Sequence, residues 1–306
     1  MSKIFAKKKD KPIKVRHLKD KTTGLLNFSD YKRAGRKVAY SIFIILLVIF
    51  ALIAITPIIW LAITAMKTEA EINSINYHLF PAVWDFSRIG TIWKESQLGR
   101  YYLNTLIVCA GSVVCAVFFN AIMAYSVAII KPFGHKVIHA LVMLGYMIPA
   151  ILSIYPLSKQ IVDFGGVNHY TFLWLAFGAN AYYYMLFKDH FEKIPKSLIE
   201  AARMDGCGNF EIFLKVVLPL SKSIIGIVAI FAMTASYSDF LLPYLILDRG
   251  DLQTVMVGIF KLSTMPTMKT TDFLIILVLS MIPQIVVFII FQKQIMGTGA
   301  STGMKD

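Results

Sequence analysis

The sequence predicts an all-α integral membrane protein with six transmembrane helices, both termini in the cytoplasm, and a helix-turn-helix elbow between the fourth and fifth helices. Composition is the first reason. Of the 306 residues, 57% are hydrophobic and 16% are charged, whereas soluble domains average roughly 25% charged residues. The mean hydropathy of +0.65 agrees with this. These values exclude a soluble enzyme as the default class, and they exclude a disordered chain, which requires low hydrophobicity.

Long apolar stretches are the second reason. A transmembrane helix needs about 20 mostly apolar residues, and six stretches approach or exceed that length. They cover residues 38–66, 101–130, 137–158, 170–187, 223–247 and 273–292. Polar side chains interrupt most of them: Asn104, Asn120, Ser153, Asn180 and Asp239. For any single Asn or Ser of this set, a hydrogen bond between helices of one bundle is the favoured interpretation.

The distribution of basic residues is the third reason. Residues 1–38 carry thirteen Lys and Arg directly before the first apolar stretch. Such a polybasic flank is typical of a cytoplasmic segment that faces anionic membrane lipid, and no nucleic-acid-binding module follows it. Placing the N-terminus inside leaves 23 basic residues on the cytoplasmic side and 8 outside. The sequence therefore predicts that both termini are cytoplasmic.

Residues 188–222 differ from the other loops because their charges are balanced, with six basic and five acidic side chains. Residues that typically start and end helices predict two short helices here: Pro195 opens the first, Gly206 closes it, and Asn209 caps the second. The first helix has a narrow face formed by Leu198, Ala201, Ala202 and Asp205. The second has an apolar stripe formed by Phe210, Phe213, Leu214 and Val217.

Residue chemistry alone leaves two interpretations of this elbow open. Its narrow, small face is suited to a soluble partner that approaches closely. Alternatively, the elbow lies on the membrane or packs on its own helices, and Glu200 then pairs with Lys196 or Arg203 along the same helix.

A resemblance favours the first interpretation. The run Glu200-Ala201-Ala202-Arg203-Met204-Asp205-Gly206, followed by Val217-Leu218-Pro219, resembles the EAA loop of permease subunits of bacterial ABC importers. The preceding Ile194-Pro195 and the late Phe291-Gln292-Lys293 are similar to the sugar branch, in particular to the second permease of maltose-type importers. The sequence departs from that pattern at Cys207, where an alanine is usual. It also carries Tyr237-Ser238-Asp239-Phe240 where Trp-Asn-Asp-Phe is frequent.

The apolar stretches, together with a resemblance that covers roughly residues 100–295, divide the chain into parts. The parts are a basic cytoplasmic tail (1–37), a first transmembrane helix (38–66), an extracellular segment (67–100), a permease core (101–295) with the EAA loop at 188–222, and a cytoplasmic tail (296–306). Within the loop the resemblance implies contact with an ATPase through Glu200, Ala201, Ala202, Asp205 and Gly206. Glu200 is the expected ionic partner of a basic residue, the alanines permit close approach, and Gly206 makes the turn.

The resemblance also implies the partners of the chain. They are a second homologous permease, two ATP-binding cassette ATPase subunits, an extracellular solute-binding protein, membrane lipid and a carbohydrate substrate, in the cytoplasmic (inner) membrane of a bacterium. The chain has no Gly-x-x-x-x-Gly-Lys-Ser/Thr phosphate loop. ATP and Mg²⁺ are therefore expected to be used by the partner ATPase, with no cofactor bound by this chain. No catalytic constellation and no metal-ligand spacing is present, so we do not expect an enzyme.

The substrate path is predicted less directly. Asp239 ranks first as a contact, followed by Tyr237, Ser238 and Asn180, because a carboxylate within a membrane segment is a functional candidate. The resemblance implies an oligosaccharide. Aromatic side chains within the spans add weak support, although for each residue singly a packing role is favoured. The alternative function is a secondary transporter that uses Asp239 as a proton or cation site. A non-transporting membrane scaffold is a third class.

Overall fold

The structure of the protein is a computed structural model that describes residues 34–76 and 78–302. Most of the predicted basic tail and the last four residues of the cytoplasmic tail lie outside the described residues. The described backbone is helical and contains no strand. The α-helices of the described residues are α1 (Ala34–Ala65), α2 (Glu69–Ile72), α3 (Ser87–Glu95), α4 (Leu98–Tyr125), α5 (His135–Met147), α6 (Ala150–Asp163), α7 (Tyr170–Gly178), α8 (Ala181–Phe191), α9 (Lys196–Met204), α10 (Asn209–Ile212), α11 (Leu218–Leu220), α12 (Lys222–Ser238), α13 (Leu241–Ile246), α14 (Val255–Ser263) and α15 (Thr270–Thr302).

Three helices in the described part of the chain are long and apolar enough to cross a membrane unbroken. They are Tyr40–Ala65, Leu98–Ile130 and Thr270–Gln292. A π-helical segment, Ser126–Ile130, extends α4 to reach the second of these. Two bent helix pairs also pass the same test, which raises the number to at most five. The all-helical membrane class is confirmed, whereas the six-span count and the cytoplasmic termini stay predictions.

The three predicted middle spans are each broken, which corrects the expectation of continuous helices. The third predicted span is split into α5 and α6, which are bent by 102°. The bend lies at Ile148-Pro149, because proline has no N–H and disfavours helical geometry at the residue before it; Ile148 has ψ 124°. The fourth is split into α7 and α8 at Ala179-Asn180. The fifth ends at Ser238, before the extended Asp239.

The chain divides into two compact units, one up to Pro57 and one from Ile58 onward. In the first, helix α1 is apolar around its whole circumference, and its side chains are solvent-exposed between residues 41 and 57. A helix that is hydrophobic all round requires cover by lipid or protein. This is consistent with its predicted role as a membrane helix.

Helix α4 is the central helix of the second unit and packs against α7, α8 and α12. Its Gly111 permits the approach of α7, because a Cβ there would lie 2.3 Å from the ring of Trp174. On the side that faces α12, the hydroxyls of Ser112 and Ser236 lie 3.1 Å apart. Asn104 donates to the carbonyls of Asp251 and Gln253, each at 2.9 Å. These polar residues therefore join parts of one bundle, as favoured from the sequence.

The predicted extracellular segment is tied to the start of α15. Arg88 forms an ion pair with Asp272 at 2.7 Å and donates to the carbonyl of Lys67. Glu69 accepts from the backbone N–H of Thr271 at 2.7 Å. These contacts hold the residues after α1 against the last long helix.

Candidate functional site

The first helix of the elbow, α9, ends in the turn that the sequence predicts. Gly206 has φ +82°, a left-handed conformation that a glycine adopts without the cost of a Cβ. The N–H of Gly206 donates to the carbonyl of Arg203 and the N–H of Cys207 to that of Ala202, both at 3.0 Å. This hydrogen-bond pair is the Schellman motif, which satisfies carbonyls at a helix end. Pro195 precedes the helix instead of forming its first turn.

The residues of the predicted narrow face of α9 do not all lie on the same side of the elbow. Ala201, Asp205 and Glu200 are exposed, whereas Ala202 is buried and packs in the hydrophobic core with Ile199. Ala202 therefore fixes the elbow to its own bundle and does not lie on the outer surface. The inner side of α9 thus packs on the chain's own helices, as the second interpretation of the elbow predicts, whereas its outer side stays exposed.

The second helix of the elbow is divided in the same manner. Helix α10 continues through a π-helical segment, Phe213–Val217, into α11, and this run meets α12 at 83°. Phe213 and Val217 are buried, whereas Phe210 and Leu214 are exposed. The predicted N-cap is displaced by one residue, because Gly208 occupies that position and Asn209 begins the helix.

The elbow is held to α4 by a specific contact. The hydroxyl of Tyr125 donates to the carbonyl of Asn209 at 2.9 Å, and its ring lies 5.2 Å from that of Phe213. Burial lowers the pKa of His190 at the end of α8, while its hydrogen bond to the Leu220 carbonyl opposes this effect. The contacts of Tyr125 therefore pack the second half of the elbow against α4.

The outer face of the elbow combines large apolar side chains with two acids that have no partner among the described residues, Glu200 and Asp205. The apolar members are Leu198, Met204, Phe210 and Leu214, which are 43%, 88%, 60% and 44% exposed. Glu211 pairs with Lys215, whose ammonium lowers the pKa of the Glu211 carboxyl. By contrast, Glu200 forms no hydrogen bond or ion pair with any described residue, so the pairing with Lys196 or Arg203 is not formed. This surface can receive a protein partner that supplies apolar area and a basic group.

The four predicted substrate contacts lie in two places: Tyr237, Ser238 and Asp239 follow one another at the end of α12, and Asn180 lies at the α7–α8 break. The hydroxyl of Tyr237 donates to the Ser280 carbonyl at 2.6 Å, and the hydroxyl of Ser238 accepts from Gln284 at 2.7 Å. Both residues therefore contact α15. Asp239 has an extended backbone between α12 and α13 and is half-buried there, and the residue that caps α13 is Phe240.

Asn180 lies in a different environment, a cavity of about 680 Å³ at the two helix breaks. It caps α8, and its side-chain oxygen accepts from the N–H of Tyr183 at 3.0 Å. Asn120 of α4 fills the break: its amide donates to the Phe177 carbonyl and its oxygen accepts from the N–H of Asn180, both at 3.0 Å. Sequence reasoning identified Asn180 as a candidate and favoured a hydrogen bond between helices for Asn120, which the contact with Phe177 confirms. Pro149 lies at the α5–α6 break on the other side of the cavity, and it is the sequence feature that could have predicted the break there.

Comparison with known proteins places the chain among membrane transport components. The sequence profile described as "Binding-protein-dependent transport system inner membrane component" matches residues 116–296. The chain is 28% identical over 257 residues to the diacetylchitobiose uptake system permease protein NgcG of Streptomyces coelicolor, covering 83% of this chain and 85% of that protein. It is 27% identical over 261 residues to the arabinooligosaccharides transport system permease protein AraQ of Bacillus subtilis, covering 84% and 92%.

A solved structure shares the fold. It belongs to a bacterial ABC transporter involved in the import of the acidic polysaccharide alginate. The TM-score is 0.75 and the sequence identity is 23%, and the match covers 85% of this chain and 98% of that chain. The two chains therefore share their helical fold over most of their lengths.

Proposed function

This chain belongs to the family of binding-protein-dependent transport system inner membrane components, and from that premise we propose that it forms half of the translocation path of an ATP-driven carbohydrate importer. One observation carries the proposal. The outer face of the elbow exposes Met204 and Phe210 beside Glu200, which has no partner within the described chain. Such a surface is suited to a cytoplasmic ATPase subunit.

The elbow transmits motion because it is rigid. Its inner side is buried through Ala202, Phe213 and Val217, and its end is closed by the Gly206 turn. A displacement of the elbow by the ATPases therefore moves α8, α4 and α12 with it, and the bundle alternates between inward-open and outward-open states. The energy comes from the hydrolysis of ATP, which the ATPase binds together with Mg²⁺.

The remaining partners follow from the family. A second homologous permease completes the path, two ATPase subunits bind at the cytoplasmic side, and an extracellular solute-binding protein delivers the solute. We propose six spans with both termini in the cytoplasm of a bacterial cell, since this orientation puts the elbow and the ATPases on the same side. The charge-rich start of the chain then faces anionic lipid.

Carbohydrate, and an oligosaccharide in particular, is the proposed solute. The relatives named above transport diacetylchitobiose and arabinooligosaccharides, according to their names. Di- and oligosaccharides have flat faces that stack on aromatic rings, and tyrosines line the helix breaks of this chain.

The proposal is tested by uptake in proteoliposomes that contain the whole complex. We expect accumulation of at least one oligosaccharide from a glycan panel, only when the solute-binding protein, ATP and Mg²⁺ are all present. A Mg²⁺-free reaction and an ATPase subunit unable to hydrolyse ATP are the controls. Uptake driven by a proton or sodium gradient without ATP would overturn the proposal in favour of a secondary transporter.

A further inference from the structure

The cavity between the two helix breaks contains features of a binding site. On one side lies the α5–α6 break with Tyr146 and Ser153, and on the other the α7–α8 break with Asn180 and Tyr182. Its volume of about 680 Å³ falls within the range of roughly 300–1,000 Å³ that is usual for small-molecule sites. Irregular backbone within a membrane segment is tolerated where it lines such a cavity.

Several polar groups of the cavity wall have no partner among the described residues. The side-chain oxygen of Asn180 is used by the N–H of Tyr183, but its amide NH₂ donates to no described group. The hydroxyls of Tyr146 and Tyr182 likewise make no hydrogen bond within the described chain. By contrast, the hydroxyl of Tyr184 lies 3.1 Å from the ring nitrogen of His139. The wall therefore offers one amide donor and two phenol groups to a ligand.

The wall carries no charge. None of the described residues that line the cavity is Asp, Glu, Lys, Arg or His. A carboxylate or phosphate of a ligand would thus find no cation here, and burial of an unpaired charge is costly. Hydroxyl groups, which both donate and accept hydrogen bonds, match the amide and phenol groups.

The position of Asn180 along α8 gives the depth of the cavity in the membrane. Asn180 is eleven residues before Phe191, where α8 reaches the elbow. At a rise of 1.5 Å per residue this separation is about 17 Å, which is roughly half of a hydrocarbon core about 30 Å thick. A ligand here would lie near the middle of the membrane.

We propose that the cavity between the α5–α6 and α7–α8 breaks binds a sugar unit of a neutral carbohydrate during transport, through the Asn180 amide and the rings and hydroxyls of Tyr146 and Tyr182. The inference rests on the proposed function and narrows it in two ways. It assigns this chain's contribution to the path to Asn180 and not to Asp239, Tyr237 or Ser238. It also restricts the solute to uncharged sugars.

The first test compares solutes in proteoliposomes that contain the complete importer. The probes are neutral oligosaccharides (maltotriose, raffinose and diacetylchitobiose), trigalacturonate as an acidic oligosaccharide, and glycerol 3-phosphate. We expect uptake of at least one neutral probe and no uptake of the two anionic ones. Uptake of an anionic probe at a rate comparable with the best neutral probe would overturn the inference while leaving carbohydrate import intact.

The second test uses two variants with matched controls. Asn180→Asp keeps the oxygen that caps α8 and replaces the amide donor by a charge, so the fold is preserved. We expect its KM for the imported neutral sugar to rise roughly three- to tenfold, the value of one lost hydrogen bond, while the amount of assembled complex equals that of the wild type. Tyr146→Ala should have a similar effect. Tyr155→Ala is its control, because Tyr155 is 75% exposed on α6 and does not line the cavity.

The outcomes separate the two proposals. If the complex imports carbohydrate but Asn180→Asp and Tyr146→Ala leave KM unchanged, the site assignment is wrong and the proposed function stands. If these variants release the second permease on co-purification, the cavity is a subunit interface and the site assignment is again wrong. If no carbohydrate is imported at all, both proposals are wrong.

Discussion

The elbow and the cavity at the helix breaks are assembled in opposite ways. The elbow is local: its exposed acid, its buried alanine and its closing glycine lie within seven consecutive residues, from Glu200 to Gly206. The cavity is distributed, since Asn120, Pro149 and Asn180 come from different helices. A local site is visible as a sequence motif. A distributed site is visible only after the helices have been packed.

The largest expected effect concerns the outer face of the elbow. Met204→Asp places a charge on a side chain that is 88% exposed, so the fold should be unaffected and only a packed contact with a partner should suffer. We expect ATPase co-purification and uptake to fall by roughly tenfold or more. Ala201→Asp should behave in the same way.

The control for this variant is Ile75→Asp, a fully exposed apolar residue in the predicted extracellular segment. It should retain the ATPase. If Met204→Asp and Ala201→Asp both retain the ATPase and normal uptake, the elbow is not the docking surface for the ATPase.

The second effect concerns the helix break. Asn120→Leu leaves the Phe177 carbonyl and the Asn180 N–H without their partner, which costs roughly 1–3 kcal/mol for each buried group. We expect a lower thermal unfolding temperature in detergent and a higher KM for sugar. Asn104→Leu, which also loses two buried hydrogen bonds on α4, should lower stability without changing KM. Equal KM values for the two variants would show that the break has no special role.

A smaller effect is expected at the turn of the elbow. Gly206→Ala meets no heavy atom within 4 Å but places a Cβ at φ +82°, which costs roughly 1–2 kcal/mol. Uptake should be reduced and not abolished, and Gly206→Asn should be milder because Asn tolerates this region. Gly208→Ala is the control, since its φ of −71° suits any residue. Full activity of Gly206→Ala in uptake and stability measurements would contradict the role of the turn.

The smallest effect is expected at Asp239. Asp239 does not line the cavity that contains Asn180, so uptake by Asp239→Asn and by Asp239→Ala should stay near the wild-type rate. A stable Asp239→Asn variant that no longer transports would instead restore the carboxylate to the substrate path, or to a cation site.

The sequence by itself determined the membrane class, the extents of the first, second and last long helices, and the position of the elbow. The physical reason is that these features depend on local composition: long apolar runs, a proline and glycine pair, and a seven-residue motif. The same information could not show that Ala202 turns inward while Ala201 turns outward, because helix orientation is decided by the Tyr125 and Phe213 contacts.

The tertiary structure alone decided where the middle helices break and what the breaks enclose. Apolar length indicates that residues 170–187 can form a helix, but the break at Ala179-Asn180 requires other groups to satisfy the freed backbone. Asn120 supplies them from a helix sixty residues earlier in the chain. Likewise, the sequence puts Asp239 and Asn180 in one group of candidates, and only the structure places Asn180 at the cavity and Asp239 between α12 and α13. The packing of the bundle decides which polar residue contacts a solute and which one satisfies the free backbone groups at a helix break.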